Sequence, residues 1–550
     1  MPFHAHRCAP CIGSRDVRSG QETLDTAGAM IAPLHTSRPA RWIQAGQTPC
    51  FTGASFFIPK GYAMNLRRAI CAPLFTTAIC TAAMQMPAFA AETTAAAGSA
   101  VSPVASTPLP INLLEAYIQA QEKKDDKAQT PPADSGPPSR ALPDQIENPP
   151  FPMTTWTTNS GFPIGENWDV PPGPLQHAIF GKSLDKTPWR ITGWLDAGGA
   201  ISTSRNSNLP LTYALVPHHL ELDQLVVEIQ KMPDTVQKKH IDWGFLSAHL
   251  FGIDYRFTTA AGYLNDQLNT HNNLYGYDPV LQWFMVYFPK IADGAVLQVG
   301  RYISPIDIEA QLSNSNYLFT HSLMFGVDPY TYTGINMEVR VNKEFMYFIG
   351  AHAGNENSPW SGRASLNAEL LLGWHAADNK DMIWGGLDSI GAGKTIKGHD
   401  NEQILNAVWG HVWTKRFHMQ TQAYYMWQYD PIKGGTPNNG PIYPFGGGGG
   451  AGPQIQGKAV AWGFVNNLEY KVNSRDYLSF RTGYLGDPQG WRTGFNNRYC
   501  DFTLGYSHLF NSHIWFRPEI GYQHGFDNAA FDNGTKKEQF TVAADILYRF

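Results

Sequence analysis

Charge is scarce in this sequence: 16% of its 550 residues are Asp, Glu, Lys or Arg, against roughly 25% in an average soluble domain. Long apolar runs are scarcer still. Outside one segment near Met64 there is no stretch of about 20 apolar residues, which excludes a bundle of membrane-spanning helices. A basic surplus is missing as well, since the formal charge is −5, and a nucleic-acid backbone therefore meets no complementary surface. Of six cysteines, Cys8, Cys11, Cys50, Cys71 and Cys80 all precede Ala91, leaving Cys500 alone beyond it. No disulfide framework can form there. Cys8-x-x-Cys11 has no second Cys or His pair at zinc spacing, so it supports neither a metal site nor a redox motif. What is abundant is apolar (43%) and aromatic (13%) side chains, with 52 Gly and 39 Pro. That composition describes an ordered, β-rich chain with disorder confined to local tracts.

From Met64 the chain reads MNLRRAICAPLFTTAICTAAMQMPAFA, with Arg67 and Arg68 before an apolar run and Ala88-Phe89-Ala90 as a small-residue cleavage site. This pattern predicts a secretory signal peptide over 64–90, cleaved near Ala90 after Sec-type export. Residues 1–63 lack coherent periodicity and read as an upstream extension outside the mature protein. Eight Lys/Arg and three Asp/Glu fall within residues 1–90, so the remainder holds 33 basic and 43 acidic residues. Residues 91–188 are a Pro-rich, low-complexity tether of disordered character, holding one short helix from Ile111 to Lys124.

From Trp189 to Phe550 the periodicity becomes two. Phe540, Val542, Ala544, Ile546, Tyr548 and Phe550 point one way, and Gln539, Thr541, Asp545 and Arg549 the other. Phe417, Met419, Ala423, Tyr425, Trp427 and Tyr429 oppose His418, Gln420, Gln422 and Gln428 in the same manner. Such runs predict sixteen strands, at 190–202, 219–231, 242–256, 279–288, 295–302, 332–342, 344–354, 366–378, 381–389, 403–414, 417–429, 460–472, 476–485, 497–510, 513–524 and 539–550. The parity of 295–302 stays open, because Leu297 and Val299 favour one face and Val296 and Tyr302 the other.

Connections alternate between long and short, placing tight turns at one end and long loops at the other. An up-and-down antiparallel barrel crossing an outer membrane has this arrangement, whereas a soluble sandwich has no reason to sort its loops by parity. The fold expected is all-β, a transmembrane barrel of about 16 strands with its aromatic face outward and its charged face on a water-filled lumen. By parity that lumen receives Asp254, Arg256, Glu338, Arg340, Glu469, Lys471, Arg481, Asp501, Arg517, Glu519, Asp545 and Arg549.

With these features assembled, the chain resembles Gram-negative outer-membrane β-barrel porins. Its ending FTVAADILYRF is similar to the terminal strand that barrel-assembly machinery recognises, which implies Tyr548 and Phe550 as the assembly signal. Val299-Gly300-Arg301-Tyr302, Asn316-Tyr317, Ser322-Leu323-Met324-Phe325, Tyr332-Thr333-Gly334 and the run from Trp515 to Tyr522 resemble, more narrowly, the OmpL-like β-barrel porin family over 160–550. In general porins the third external loop folds inward and sets the constriction. The third long connection here is 303–331. The resemblance thus implies that Asp307, Glu309, His321 and Asp328 face the pore, with Glu338, Arg340, Arg481, Arg517 and Glu519 as further lining. It also implies outer-membrane lipid, the assembly machinery and small hydrophilic solutes as partners, and leaves association of three barrels open.

Three motifs tempt and fail. Gly447-x-Gly449-x-x-Gly452 sits in a glycine run without a βαβ unit, Gly393-Lys394-Thr395 lacks the first glycine of a phosphate loop, and no G-x-S-x-G occurs. His352, His375 and His411 lie on strands without metal spacing. The expected function is passive diffusion of small hydrophilic solutes or ions through the lumen, with mild cation preference, no catalytic residues, no metal and no cofactor. The alternatives are a barrel-borne hydrolase, for which no Ser and His can be paired from sequence, and a structural or adhesive barrel.

Overall fold

The computed structural model describes residue 140 and residues 164–166, 170–393, 401–434 and 452–550. The signal peptide, the upstream extension, the helix at 111–124 and most of the tether lie outside the described residues.

Sixteen strands follow in chain order: β1 (Trp189–Ser202), β2 (Leu220–Lys231), β3 (Asp242–Gly252), β4 (Gly276–Phe288), β5 (Ala295–Ile303), β6 (Thr331–Arg340), β7 (Phe345–Asn355) and β8 (Asn367–His375). The second half comprises β9 (Asp381–Ile390), β10 (Gln403–Thr414), β11 (Phe417–Tyr429), β12 (Lys458–Lys471), β13 (Asp476–Asp487), β14 (Asn497–Asn511), β15 (Ile514–Gly525) and β16 (Glu538–Arg549). Each strand pairs with its sequence neighbours, and β1 pairs antiparallel with β16, so the sheet closes without an edge. Closure extends past the last strand, where the Phe550 amide donates to Gly193 O at 2.9 Å and the Gly193 amide donates back at 3.1 Å. A Cβ on Gly193 would stand 2.6 Å from the Phe550 ring, so the terminal aromatic needs a glycine there.

The alternation seen in the sequence is inverted relative to a soluble protein. On β16, Phe540, Val542 and Ile546 are 45–51% exposed, whereas Gln539, Thr541 and Asp545 are at most 2% exposed. An apolar outer wall is stable only against an apolar solvent, and the polar groups it hides must find partners inside. The inner face also carries Trp194, Trp384 and Trp515, all buried, and over β3 and β4 it is apolar through Leu246, Ala248, Leu250 and Met285.

Two local features explain where the sequence pattern blurred. The strand expected over 242–256 stops at Gly252, and Asp254 and Arg256 lie beyond it, with Arg256 in the short helix Tyr255–Thr258. On β5, Val296, Gln298 and Tyr302 are buried, while Leu297 and Val299 are more open. Arg301 falls in the outward slot yet is fully buried. It donates to Asp278 Oδ1 at 2.6 Å and lies 4.7 Å from the Tyr263 ring of the loop after β3, which folds over the wall there. Gly300, at φ +138°, stands where a Cβ would lie 2.1 Å from Gln282 O. Pro518, which has no amide to give, falls in a gap of the β14–β15 ladder, between Gly505↔Glu519 and His508↔Phe516.

The long connections 203–219, 253–275 and 304–330 share one end, and the short ones 232–241, 289–294 and 341–344 share the other. At the short-turn end Arg140 lies against the barrel, donating to Val236 O at 2.7 Å, Thr235 O at 2.8 Å, Tyr287 Oη at 3.1 Å and Asp293 Oδ1 at 3.0 Å. Ile164 packs beside Gly294 and Tyr287 and is 1% exposed.

Candidate functional site

Residues 304–330, between β5 and β6, make up the third long connection, and nearly every one is buried. Their backbone polar groups cannot pair within a sheet or with bulk water, so the wall must satisfy them. Side chains of seven strands do so: Gln224 (β2), Trp384 (β9), Asn406 (β10), Gln422 (β11), Arg481 (β13), Ser507 (β14) and Arg517 (β15) donate to Gln311, Pro305, Ile306, Thr320, Tyr317 and Ser313 carbonyls. Three inner-wall glycines admit loop side chains. A Cβ would lie 2.7 Å from Phe319 at Gly198, 2.6 Å from Met324 at Gly463 and 2.2 Å from Leu318 at Gly505.

Most of the residues singled out from the sequence meet here. Arg517 donates to Asp545 at 3.0 Å and to the Ser313 and Asn316 carbonyls at 2.7 Å, with Asp196 at 3.5 Å. Glu519 accepts the Phe319 amide at 2.9 Å and the Thr320 hydroxyl. Arg481 bridges Glu309 at 3.2 Å and Asp501 at 3.4 Å while donating to Thr320 O. Glu309 also accepts the Ser322 amide at 3.0 Å. Asp307 accepts from Gln422 at 2.9 Å, and Tyr424 donates to Asp328 at 2.8 Å. Glu338 is buried on the inner face of β6.

Burial raises the Asp307 carboxyl to about 6, against hydrogen bonds including those from Gln422 and Tyr424. It raises Glu309 to about 7, against the attraction of Arg481. Asp328 is pushed well above the ordinary range by burial and then by its neighbour Asp307. His321 is driven well below its usual value by burial, so it stays neutral, hydrogen-bonded to Ala310 O at 2.7 Å, with its ring centroid 3.8 Å from that of Tyr213 at a tilt of 33°.

Arg340 stands apart. As the last residue of β6 it lies at the short-turn end rather than near the loop's end, donating to Arg140 O at 3.1 Å and facing Asp293 at 3.5 Å. Tyr548 is on the outer face, 41% exposed, its ring 6.1 Å from that of Phe550.

Several inner-wall groups escaped the sequence reading. Tyr302 donates to Glu369 at 2.7 Å and Tyr332 donates to Asp388, two acid–tyrosine pairs on β5–β9. Strand parity could have found Asp196 and Glu369. Asp223 could not be found that way, because the β1–β2 register shifts between Asp196 and Ala197 and leaves Asp223 unmatched.

One Ser–His juxtaposition bears on the hydrolase alternative. Ser247 Oγ lies 2.9 Å from His249 Nε2 on the outward parity of β3, and His249 Nδ1 lies 2.7 Å from Tyr277 Oη. Ser247 gives its single proton to Gln282 Oε1 at 2.8 Å, so His249 can only donate to it. That is a satisfied polar chain, opposite in sense to a nucleophile and its base. Among the described residues, no group of three or more His, Cys, Asp or Glu could hold a metal ion.

No curated protein sequence matches the chain. Its backbone is similar to an anion-selective porin from Comamonas acidovorans (TM-score 0.41, 9% identity, 66% of this chain and 99% of that one). It is similar to Pseudomonas putida OprB in a high-pH structure (TM-score 0.41, 10% identity, 68% and 97%). It is also similar to the trimer form of Vibrio cholerae OmpT (TM-score 0.38, 11% identity, 66% and 99%). The family described as "Putative beta-barrel porin-2, OmpL-like" matches residues 188–550, the whole barrel, and the chain belongs to that family.

Proposed function

We propose that this outer-membrane barrel is a passive porin for small hydrophilic solutes, narrowed by residues 304–330 and preferring cations. The observation that carries the reading is the anchoring of that loop by inner-face side chains of seven strands. A loop so held narrows the cross-section and sets the local field. Cation preference rests on carboxylates that meet no Lys or Arg at ion-pair distance among the described residues, namely Asp223, Asp254, Asp307, Glu369 and Asp388, all at most 4% exposed. Uncompensated negative charge in a narrow polar passage raises local cation concentration.

The leader at 64–90 directs export and is removed near Ala90, and the Tyr548/Phe550 ending engages the assembly machinery; N-terminal sequencing of the outer-membrane protein tests the first point. The pore is tested with the full chain in a planar bilayer under a KCl gradient. Stepwise openings that scale with salt, a reversal potential of cationic sign, and larger steps after deletion of 308–322 are expected. A folded barrel that conducts nothing rejects the porin reading, and an anionic reversal potential rejects the charge preference.

A further inference from the structure

Asp196, Glu221, Asp223 and Asp545 on the inner wall, and Asp254 just past the end of β3, form a group of acids beside Arg517. Arg517 serves Asp545 and Asp196. Glu221 accepts the Val216 amide at 2.7 Å and Asp254 accepts Gln224 Nε2 at 2.9 Å, but neither meets a Lys or Arg at ion-pair distance among the described residues. Asp223, 1% exposed, has no hydrogen-bond partner on either oxygen among the described residues. Its electrostatic neighbours are further acids: Asp254, Asp196, Glu221 and Asp545. A carboxylate taken from water without a donor is costly, and a wall of them demands a counter-charge.

An aromatic cluster adjoins this strip. The Tyr213 ring lies 4.9 Å from Phe257 and 5.8 Å from Phe325, and Phe325 lies 5.3 Å from Tyr330. The Tyr213 hydroxyl, in a residue 2% exposed, has no partner among the described residues, and Asp254, Asp328 and Asp307 all act on it electrostatically. The Tyr330 hydroxyl is likewise without a partner, and so is the whole side-chain amide of Gln311. The cluster is therefore within electrostatic reach of both sets of acids, and Asp223, Asp254 and Asp328 each keep an acceptor oxygen without a donor among the described residues.

We propose that this acidic, aromatic-walled corner is a recognition site for organic ammonium cations, alkyl diammonium solutes above all, inside the pore. Vacant carboxylate and hydroxyl oxygens match N–H donors, and aromatic faces attract a desolvated cation. A metal ion fits poorly, since no group of His, Cys, Asp or Glu here converges on one point. An anion would be repelled by these carboxylates. The inference rests on the porin reading above and names the solute class of that passage.

The test is block of single-channel current by 1,4-diaminobutane, using the full chain in KCl, with MgCl2 and tetraethylammonium for comparison. Expected is concentration-dependent block by the diamine, weaker block by either comparison cation, and loss of diamine affinity by about tenfold or more in the double variant Asp223→Asn/Asp254→Asn. Tyr213→Leu should weaken block by about threefold. Asp476→Asn, on the outward end of β13, should leave it unchanged. Heat-modifiable gel mobility reports whether each variant is folded, and the wild-type comparison stands without any variant. A cation-selective channel that the diamine does not block, or that Mg2+ blocks equally well, overturns this site while leaving the porin reading intact. A channel preferring anions overturns the charge reading on which the site rests.

Discussion

The two halves of the lumen wall solve the same electrostatic problem differently. On β13–β16 each acid near the loop has a partner: Arg481 lies between Glu309 and Asp501, Arg517 between Asp545 and Asp196, and Glu519 accepts loop amides. Four other acids, Asp223 on β2, Asp254 after β3, Glu369 on β8 and Asp388 on β9, meet no Lys or Arg among the described residues: Asp254 accepts from Gln224, Glu369 from Tyr302 and Asp388 from Tyr332, and Asp223 has no donor. A paired charge fixes geometry, whereas an unpaired one leaves a field that a permeating ion can feel. The first half holds the loop in place; under the porin proposal, the second supplies the polarity of the passage.

The largest effect should come from breaking the paired half. Arg517→Ala strips Asp545 and Asp196 of their cation and the loop of three carbonyl anchors, at Ser313, Asn316 and Leu318. A loss of about 3–5 kcal/mol in urea unfolding monitored by tryptophan fluorescence is expected, together with larger, noisier conductance steps. Arg517→Lys should restore only part, because a point charge cannot reach both carboxylates and carbonyls in the planar geometry of a guanidinium.

A second experiment sharpens the comparison through pH. Folded Asp307 and Glu309 titrate at about 6 and about 7, above the roughly 4 of free carboxyls. Between those limits the folded protein keeps protons that the unfolded chain has lost. Their stabilising contribution is therefore fully present below about pH 4 and is lost as pH rises through 6 and 7. Each ionisation adds a negative charge beside the loop, so the cation-to-anion permeability ratio should rise between pH 5 and pH 8. Reversal potentials measure it, and Asp307→Asn with Glu309→Gln should flatten the profile.

Neutralising an acid on the unpaired half should do less to stability. Glu369→Gln keeps the contact with Tyr302 and removes a charge that no cation balances, so unfolding should shift by no more than about 1 kcal/mol, while cation preference falls measurably. The smallest effect should come from outside the lumen. Arg140 and Asp293 are each about one-fifth to one-quarter exposed, and their ion pair should contribute about 1 kcal/mol or less. Asp293 is nonetheless held below the ordinary carboxylate range: burial opposes this, and Lys238, Arg140 and Arg340 outweigh it. Arg140→Ala should speed hydrogen exchange at the Gly165 amide, which bonds Thr235 Oγ1 at 3.1 Å, and leave conductance polarity unchanged.

Much of this was legible in the sequence. Alternation at 539–550 and 417–429 identified the inside-out wall, because strand geometry sends successive side chains to opposite faces whatever the rest of the fold does. Arg517, Glu519 and Arg481 followed from the same parity. It failed where a local feature broke the period. A register shift hid Asp223, a folded-back loop concealed Arg301 in an outward slot, and the early end of β3 turned Asp254 and Arg256 into loop residues.

The sequence by itself determined the wall: the number of strands, their order, the face each residue presents and the sorting of loops to two ends. Those properties depend on neighbours in the chain and on the contrast between apolar and polar positions. Only the tertiary structure decided which charges meet. Glu309 and Arg481 are 172 residues apart, and Arg517 and the Ser313 carbonyl are 204 apart. Contacts at such separations are set by barrel closure and by the path of one loop across it, and no local periodicity carries that information.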